Sequence, residues 1–572
     1  MTMKRARLSL TGSGILLIAA ACGNNAPDDG GGKGNAGAPA NGGTPSNGGS
    51  SGASTSGSAG KAMMGGSAGA ASPAGGSSGV GGSSGAGGTG PSGGTGPAGG
   101  SAGATGAAGA TGAAGATGAA GATGAAGATG AAGAAGTGAG GTSSQSGPVT
   151  VQLDAVKQTI DGFGINNTWA PKMSANDAKA MFSATDGIGL TILRVGMNDS
   201  GGFMSDNISA DISTAKSAGA KTIIGSCWSP PASCKTNNSV NDGGHLKDDT
   251  CYDSWTTTIA NFAKTNGLYA MSIANEPDFA SCGSSEPCNG NYPTTLYTDA
   301  EMVKLVKAAA PKFKTAGVKL IAPEASEWLH QWSNMSACCS EPGKKESSNP
   351  LKGMGYDYGH ALFKDKDAWA GVDIMGVHEY DTQVAEPWPA DVTEKKPVWQ
   401  TEMSGVKWWP EQGPSTTIEN GVAVAGWIHS ALTVGEASAW LWWWWNANNT
   451  DDNEGLYLKS GSDTKRHYTL GNYSKFVRPT YQRVDIGGMV PTDVLLSAYK
   501  GPDGTVVIVA INKGAAAATV PITIAGGTAP AMMTPNVTSA ADNLAAKTAV
   551  AVTGGVLMAA LESMTVTTFV GK

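Results

Sequence analysis

The sequence predicts an α/β fold: a (β/α)8 TIM barrel fused to a side β-sandwich domain and preceded by a disordered Gly/Ala/Ser-rich linker. Three observations lead to this prediction. Eight short apolar segments alternate with helix-length stretches in the middle of the chain, the helical period disappears after about residue 481, and the first quarter of the chain has almost no large apolar side chain.

Residues 1–22 have the pattern of an export signal. Lys4, Arg5 and Arg7 precede a short apolar run, and small residues follow up to Cys22. A cysteine at this place resembles the acylation site of a bacterial lipoprotein, and the alternative is an ordinary secretory signal with a coincidental cysteine. We therefore expect an exported protein, either an outer-membrane or cell-surface lipoprotein or a secreted protein, that meets the membrane only through a lipid on Cys22.

Residues 23–147 consist mainly of Gly, Ala, Ser and Thr. Such a segment cannot bury enough apolar surface to offset its ordering entropy, so it is predicted to be a disordered linker. Glycine occupies every third position from Gly103 to Gly136, but these triplets contain no proline, so a collagen-like triple helix is not expected.

The barrel is predicted over 161–480 and the side β-sandwich over 481–572. The helix-length stretches have the expected period, as between 298 and 316, and "VLLSAYKGPDGTVVIVAINKG" indicates two strands around a Pro-Asp-Gly turn. The eight candidate barrel strands are 160–164, 191–195, 221–226, 268–274, 318–322, 372–377, 397–401 and 437–444.

Charge and cysteine content exclude some classes of function. A formal net charge of −7 argues against nucleic-acid binding, which needs clustered basic surface. Export favours disulfides; the pair Cys282–Cys288 closes a short loop and is the first choice, but the connectivity stays open. The chain has no CxxC pair, and "HEYD" at 378–381 lacks the HExxH spacing, so we predict no cofactor and no metal.

Candidate catalytic residues follow the predicted strands, because the active site of such a barrel lies at the carboxyl ends of its strands. Asn275 and Glu276 follow the fourth strand, His378 and Tyr380 the sixth, and Glu402 the seventh. Two carboxylates on facing strands suit glycosidic bond cleavage, and a separation of ~5–5.5 Å would imply retention of configuration. The amide of Asn275 could bind a sugar 2-hydroxyl.

The tryptophan run at 442–445 has two interpretations. In a regular strand Trp442 and Trp444 face one way and Trp443 and Trp445 the other. One pair is then core, and the other can form a sugar-stacking platform, for which we select Trp443. The pair at 408–409 is predicted either to line a subsite or to anchor its loop.

Several motifs together resemble glycoside hydrolase family 30. "CWSPPASCKTNNSVNDGGHLK", "YAMSIANEPDF", "IAPEASEW", "GVHEYDT" and "VWQTEMSG" occur in that family's order, and "YTLGNYSKFVRPTYQRVD" is similar to its passage from the last barrel helix into the side domain. The resemblance covers roughly residues 150 to 572. It is strongest to the bacterial glucuronoxylanase and endo-xylanase branch, subfamily 8.

The resemblance implies a role for each candidate residue. Glu276 would be the general acid/base and Glu402 the nucleophile of a retaining hydrolase, and the segment 148–160 would be the first strand of the side domain. Arg194 would orient the nucleophile and His378 matches the histidine of the sixth-strand motif; the alternative for both is a polar pair within the barrel. The residues that resemble sugar contacts are Trp228, Asn275, Tyr380 and Trp443.

Two positions depart from the family pattern. The branch has consecutive arginines after the eighth-strand tryptophans, where a guanidinium fork can grip a glucuronate carboxylate. Here Asn446 and Ala447 stand there, so the glucuronate-binding arginines are missing. Cys234 replaces the usual methionine of "SPPASMK", which indicates a disulfide with Cys251 or another cysteine.

We therefore predict a retaining endo-β-1,4-xylanase, a monomer whose partner is the polysaccharide xylan, without a strict need for a glucuronic acid branch. One alternative is another β-glycanase of the same family, a β-1,6-glucanase or a galactanase. A second is a non-catalytic carbohydrate-binding surface lipoprotein, which would not need two strand-end glutamates. A third, a surface stalk, would explain the Gly-rich region and none of the motifs.

Overall fold

The computed structural model describes residues 148–241, 243–280, 292–332, 356–380, 384, 386–405, 415–448 and 453–572. Four predictions made above lie outside these residues: the signal at 1–22 with Cys22, the linker at 23–147, the Cys282–Cys288 pair, and the tryptophans at 408–409.

A closed parallel barrel forms the larger part of the described chain, which confirms the predicted (β/α)8 architecture. Its strands are neighbours in chain order, and the last pairs with the first, so the ring closes. The strands are β2 (Gly162–Asn166), β3 (Ile192–Met197), β4 (Thr222–Cys227), β5 (Ala270–Ser272), β6 (Lys319–Ala325), β7 (Ile374–His378), β8 (Val398–Glu402) and β9 (Ala437–Asn446), with the short β10 (Gly455–Tyr457) beside β9.

Helices connect the barrel strands. The helix predicted between 298 and 316 is confirmed: it begins at a capping box formed by Thr298 and Glu301 and buries one apolar stripe. Among the described helices, none is long and apolar enough to cross a bilayer. The helices are α1 (Ala175–Phe182), α2 (Ile208–Ala218), α3 (Asp249–Thr265), α4 (Asp299–Ala316), α5 (Trp328–Gln331), α6 (Tyr358–Lys364), α7 (Lys366–Gly371), α8 (Ile418–Thr433) and α9 (Lys465–Ser474).

The barrel interior changes from apolar to polar along the strands. Ile192 and Ile224 belong to a fully buried apolar cluster, and two residues later β3 and β4 carry Arg194 and Ser226, which are also buried. Because residues two apart on a strand face the same side, these polar groups lie above the apolar layer, towards the carboxyl end of the barrel. The apolar layer closes the bottom, and the polar layer is the floor of the mouth.

The side domain is a β-sandwich that includes the first described strand. Pairing of β15 with β19 closes its sheet, and the predicted hairpin "VLLSAYKGPDGTVVIVAINKG" is present, with Gly504 at φ 85° in its turn. β1 (Val149–Thr159) lies between β11 and β14. The other strands are β11 (Gln482–Gly487), β12 (Val494–Lys500), β13 (Val506–Asn512), β14 (Ala518–Ala525), β15 (Met532–Thr538), β16 (Ala545–Ala546), β17 (Val550–Thr553), β18 (Val556–Leu561) and β19 (Thr565–Gly571).

One disulfide fixes the long loop between β4 and α3. It joins Cys234 to Cys251 in the first turn of α3, which confirms one of the pairings left open by the sequence. The same loop is held from inside by the buried Lys235, whose Nζ donates to Ser229 Oγ at 3.1 Å. Cys227, at the end of β4, is a buried free thiol.

Candidate active site

Three strands of the barrel carry an extra residue at their carboxyl ends. The pairing of β6 with β7 slips by one residue at Glu324, that of β7 with β8 at Thr401, and that of β2 with β9 at Trp443. Such bulges re-aim neighbouring side chains and are common next to active sites. They bring side chains to the mouth that regular alternation would leave elsewhere.

Glu276 and Glu402 lie at the centre of the mouth, only 5% and 4% exposed. One carboxylate oxygen from each lies within 4.8 Å of the other and of a ring nitrogen of His378. Separations of ~5–5.5 Å are typical of retaining glycosidases and ~6.5–9.5 Å of inverting ones. The nearest oxygens of the two carboxyl groups are thus closer together than the separation that is typical of inverting enzymes.

Arg194 connects three of the polar groups below the mouth. Its Nη1 donates to Oε2 of Glu402 at 2.6 Å and its Nη2 to Oδ1 of Asn275 at 2.6 Å. Its Nε donates to Oε1 of Glu324 at 3.1 Å. Burial opposes the positive charge, but the two carboxylates outweigh burial and raise the pKa of Arg194 above its usual value. The guanidinium is therefore a permanent cation.

Glu276 is held by a tyrosine that the sequence did not reveal. Tyr292 donates its hydroxyl to Oε2 of Glu276 at 2.8 Å and accepts a hydrogen bond from Trp228 Nε1 at 3.1 Å. Asn275 Nδ2 donates to the same hydroxyl oxygen at 3.2 Å. Burial and the neighbouring carboxylates raise the pKa of Tyr292 well above its usual value, so its hydroxyl stays neutral and donates.

Glu402 accepts hydrogen bonds at both oxygens. Tyr380 donates its hydroxyl to Oε1 at 3.0 Å, and Arg194 occupies Oε2. Burial raises the pKa of Glu402 above its usual value, helped by the neighbouring carboxylates and opposed by His378 and Arg194. Both donors favour the ionised form of Glu402, because they donate hydrogen bonds to its two oxygens and stabilise the negative charge of the carboxylate.

His378 lies among three carboxylates. Its Nδ1 is 3.2 Å from Oε1 of Glu276, and its Nε2 is 3.8 Å from Oε2 of Glu402. Burial alone would lower the pKa of His378, but the surrounding carboxylates outweigh burial and raise it to about 10. At neutral pH the ring is therefore an imidazolium.

If all of its carboxyl groups were ionised, this buried cluster would have a net charge of −1. Two cations, Arg194 and His378, face three carboxyl groups in a fully buried site. Burial would raise the pKa of Glu324, but Arg194, His378 and Ser226 outweigh it and hold that pKa well below its usual value. Because Glu324 stays ionised, its charge adds to those that raise the pKa of Glu402, and one proton on the catalytic carboxyl groups would neutralise the cluster.

The cluster does not suit a metal ion. Within the described part of the chain, Glu276, His378 and Glu402 are the group with ligand atoms close enough together to hold one. The imidazole is protonated, however, and Nη1 of Arg194 already occupies an oxygen of Glu402. A metal ligand must be a neutral imidazole, and a divalent cation at this place would lie next to the positive charge of Arg194.

Aromatic rings form one wall of the mouth. The rings of Trp228 and Trp443 have centroids 6.4 Å apart, and Trp169 lies 5.3 Å from the first and 6.3 Å from the second. A Cβ at Gly196 would come within 3.0 Å of the Trp228 ring, so glycine at this position lets the indole pack against β3. The guanidinium carbon of Arg194 lies 5.1 Å from the centroid of Trp228.

The predicted alternation of the tryptophan run is wrong at Trp443 and Trp444. The two rings stack with centroids 5.3 Å apart and an interplanar angle of 23°, so these neighbours do not face opposite sides. The reason is the bulge, which places Trp443 as an extra residue between two ladder positions. Trp442 packs away from the mouth, and its Nε1 donates to the carbonyl of Glu454.

All eight predicted site residues come together at this mouth, and three further residues join them. The sequence around Tyr292 has no helical or strand period, and Trp169 has a left-handed backbone with φ 59°. Glu324 lies at the end of the fifth barrel strand, as Glu276 and Glu402 lie at the ends of theirs. Its place within "IAPEASEW" was the one available signal for it.

A cleft of about 500 Å³ opens beside Tyr292 and Trp169. Asn198, Asp199 and Asn241 contribute polar groups to its walls. This volume is within the range of sites that take sugar-sized ligands. Tyr292, which donates to Glu276, thus also lines a space large enough for part of a substrate.

Comparison with known proteins gives concordant results. A sequence model described as the glycosyl hydrolase family 30 beta sandwich domain matches residues 482–550. The chain is 30% identical over 445 residues to the glucuronoxylanase XynC of Bacillus subtilis (strain 168), an alignment that covers 74% of this chain and 91% of XynC.

Two solved structures are similar over the same part of the chain. The GH30 endoxylanase from Clostridium papyrosolvens C71 is 28% identical with a TM-score of 0.59, covering 74% of this chain and 100% of the endoxylanase. Xyn30A from Clostridium acetobutylicum, a glycoside hydrolase family 30 subfamily 8 xylanase, is 25% identical with a TM-score of 0.61, covering 74% and 99%.

Proposed function

Because this chain belongs to glycoside hydrolase family 30, and is therefore a glycoside hydrolase, we propose that it is a retaining, endo-acting enzyme that cleaves the β-1,4-xylosidic bonds of xylan. The observation that carries the retaining mechanism is the spacing of Glu276 and Glu402, whose nearest oxygens lie within 4.8 Å. The substrate class rests on the relatives, which are named glucuronoxylanase, endoxylanase and xylanase.

In the first step, Glu276 acts as general acid and Glu402 as nucleophile. Glu276 protonates the glycosidic oxygen as the carboxylate of Glu402 attacks the anomeric carbon, so the leaving sugar departs and a glycosyl ester forms on Glu402. Arg194 and Tyr380 support this assignment because both donate to Glu402 and hold it as an ionised, oriented nucleophile.

In the second step, Glu276 acts as general base. It takes a proton from water, which attacks the anomeric carbon, breaks the ester and restores the carboxylate of Glu402. Two inversions at the same carbon leave its configuration unchanged. Asn275, with Oδ1 fixed by Arg194, is placed to direct Nδ2 at a sugar hydroxyl, and Trp228 and Trp443 provide the apolar wall for the sugar ring.

We propose further that a glucuronic acid branch is not strictly required. A guanidinium or ammonium group near the sugar is the strongest side-chain partner for a glucuronate carboxylate. Residues 437–458 contain neither Arg nor Lys, and Asn446 and Ala447 are buried and engaged in backbone pairing with Tyr457. Arg194 is fully occupied by Glu324, Glu402 and Asn275.

Digestion of three polymers tests the substrate and the branch requirement together. Glucuronoxylan, arabinoxylan without glucuronate and a β-1,6-glucan are incubated with the enzyme, and products are sized. Similar turnover of both xylans with mixed oligosaccharide products is expected. Cleavage of glucuronoxylan alone, at a fixed distance from the branch, would contradict the independence, and cleavage of the glucan alone would contradict the xylanase assignment.

The stereochemistry and the two glutamates are tested separately. Proton NMR of the first products should show the β-anomer before mutarotation. Glu276→Gln and Glu402→Gln should each lower kcat by at least about 100-fold. Inverted products or unchanged turnover in both variants would overturn the retaining mechanism.

We also propose that the protein is exported and acts as a monomer on polysaccharide outside the cytoplasm. The basic start, short apolar run and Cys22 support export, and a polymer too large to enter the cell is the fitting substrate. Metabolic labelling with a fatty acid, compared between the natural chain and Cys22→Ser, separates a lipoprotein from a secreted protein, and light scattering measures the mass in solution.

A further inference from the structure

Glu324 is a third glutamate beneath the mouth, and no step of the proposed mechanism uses it. Its side chain has no exposed surface, and both of its oxygens accept hydrogen bonds from side chains inside the barrel. Oε1 accepts from Nε of Arg194 at 3.1 Å, and Oε2 accepts from the hydroxyl of Ser226 at 2.5 Å. Both oxygens are thus held by barrel side chains one strand apart.

The backbone is shaped to turn Glu324 inward. Glu324 is the extra residue of the β6 bulge and has φ 61°, in the left-handed region that L-residues avoid. Glu276 has φ 47°, and its N–H donates to the carbonyl of Glu324 at 3.1 Å. Disfavoured backbone of this kind persists where the surroundings require it and is concentrated at functional sites.

We propose that Glu324 is a positioning residue: it locks the guanidinium of Arg194 in the orientation that serves Glu402 and Asn275, and its negative charge keeps one proton on the Glu276–Glu402 pair. This inference rests on the proposed function, because its readout is the hydrolysis of a glycosidic bond.

The orientation follows from the shape of the guanidinium. The group is planar and its five N–H bonds point in fixed directions. Once Nε is held by Glu324, the directions of Nη1 and Nη2 are fixed, and they meet Glu402 and Asn275 at 2.6 Å each. Without Glu324 the plane of the Arg194 guanidinium can rotate. Glu402 and Asn275 then lose the hydrogen bonds that Arg194 donates to them.

The charge follows from the balance of the buried cluster. With Glu324 ionised, the two cations leave one negative charge in excess, and a proton on the catalytic pair removes it. Without Glu324 the cations already balance two carboxylates, and the pair binds its proton less tightly. The titratable groups that face Glu324 are Arg194 on β3, Cys227 on β4, Glu276 after β5, His378 on β7 and Glu402 on β8.

Two substitutions separate orientation from charge. Glu324→Gln keeps the length of the side chain and removes its charge, whereas Glu324→Asp keeps the charge and withdraws the carboxylate from Arg194. For each variant, kcat/KM is measured against pH on a xylan that the wild type cleaves. The acidic and basic limbs of this profile report the pKa values of the essential base and acid of the free enzyme.

The two variants should differ in their pH profiles. Glu324→Gln should lower kcat at least about tenfold and move both limbs to lower pH by about one unit, since loss of a negative neighbour favours the ionised pair. Glu324→Asp should lower kcat at least about threefold and leave the limbs in place, because misorientation reduces catalysis without changing the charge. KM should change little in both.

Glu379→Gln is the control for replacing a buried glutamate without removing a charge. The carboxyl group of Glu379 lies at the next strand end, contacts the indoles of Trp328 and Trp440, and keeps its proton up to a pH of about 8 because burial raises its pKa. This variant should keep the wild-type limbs. Wild-type limbs in Glu324→Gln together with wild-type kcat in Glu324→Asp would overturn the inference, even if both variants melt earlier. If Glu324→Gln does not fold, Glu324→Asp alone tests the inference. A kcat of Glu324→Asp equal to that of the wild type would reject the inference. A lowered kcat with the limbs of the pH profile at their wild-type positions would support it.

Failure of the proposed function is distinguishable from failure of this inference. A wild type that cleaves no xylan contradicts the proposed substrate alone. The same profiles are then measured on the polysaccharide that the wild type does cleave.

Discussion

Nη1 of Arg194 lies 2.6 Å from Oε2 of Glu402, although the two residues are separated by 208 positions in the chain. β3 and β8 are not neighbours in the barrel, so this contact crosses the barrel mouth. The nucleophile proposed for the reaction is therefore supported from a different strand than its own, and its orientation depends on the closed barrel.

Replacement of Arg194 by lysine should be costly because an ammonium cannot replace a planar fork that serves three acceptors. We expect Arg194→Lys to lower kcat by about 100-fold or more on xylan, with a smaller change in KM. Arg483→Lys is the control, since Arg483 lies on β11 and donates to Gln158 in the side domain. Equal kcat for the two variants would contradict the role of Arg194.

Part of this site could be predicted from sequence because it depends on local order along the chain. Glu276 and Glu402 each follow an apolar run that forms a barrel strand. Because parallel strands place their carboxyl ends at the same end of the barrel, the order of the strands alone predicts that the two glutamates lie close together. Glu324 also ends a strand, but its inward direction depends on a bulge, and a one-residue slip in pairing has no sequence signature. The stacking of Trp443 on Trp444 was mispredicted for the same reason.

Tyr292 could not be predicted because nothing in its neighbourhood has a period. Its place beside Glu276 depends on tertiary contacts around it, such as the hydrogen bond from Thr294 Oγ1 to the carbonyl of Phe279. The disulfide partner of Cys234 was open for a related reason, since spacing alone does not measure the approach of a loop to α3.

Removal of the Tyr292 hydroxyl should weaken the support of the proposed acid. Its bond to Oε2 of Glu276 is 2.8 Å long, and a hydrogen bond to a neutral carboxyl group contributes ~0.5–1.5 kcal/mol. We expect Tyr292→Phe to lower kcat about tenfold with a smaller effect on KM. Tyr269→Phe is the control. Tyr269 lies just before the first residue of β5, and its hydroxyl accepts a hydrogen bond from Lys319. Unchanged kcat in Tyr292→Phe would show that this hydroxyl does not serve catalysis.

The Cys234–Cys251 bond should contribute to stability rather than to chemistry. The cysteines are 17 positions apart, and closing a loop of about this length is expected to stabilise the fold by ~3 kcal/mol. The double variant Cys234→Ser/Cys251→Ser should therefore melt earlier, measured by calorimetry. A reductant should lower the melting temperature of the wild type and leave that of the variant unchanged; an equal effect on both would mean that another disulfide dominates.

Glu379 should make stability depend on pH. Its carboxyl group is fully buried, and its two oxygens accept from Nε1 of Trp328 at 3.1 Å and Nε1 of Trp440 at 2.8 Å. Burial outweighs the two indole donors and raises the pKa of Glu379 to about 8, against 4.5 for an ordinary glutamate. The folded protein thus holds this proton more tightly than the unfolded chain.

The sign of the dependence follows from that difference. The stabilising contribution of the bound proton is fully present below about pH 4.5 and is lost as the pH rises through about 8, where the buried group must ionise. We expect the melting temperature of the wild type to fall between pH 5 and pH 8.5 by more than that of Glu379→Gln, which has no proton to lose. Glu562→Gln, an exposed substitution, should follow the wild type. Parallel curves for the wild type and Glu379→Gln would mean that Glu379 is already ionised at pH 5, and that the two indoles stabilise its charge more than burial opposes it.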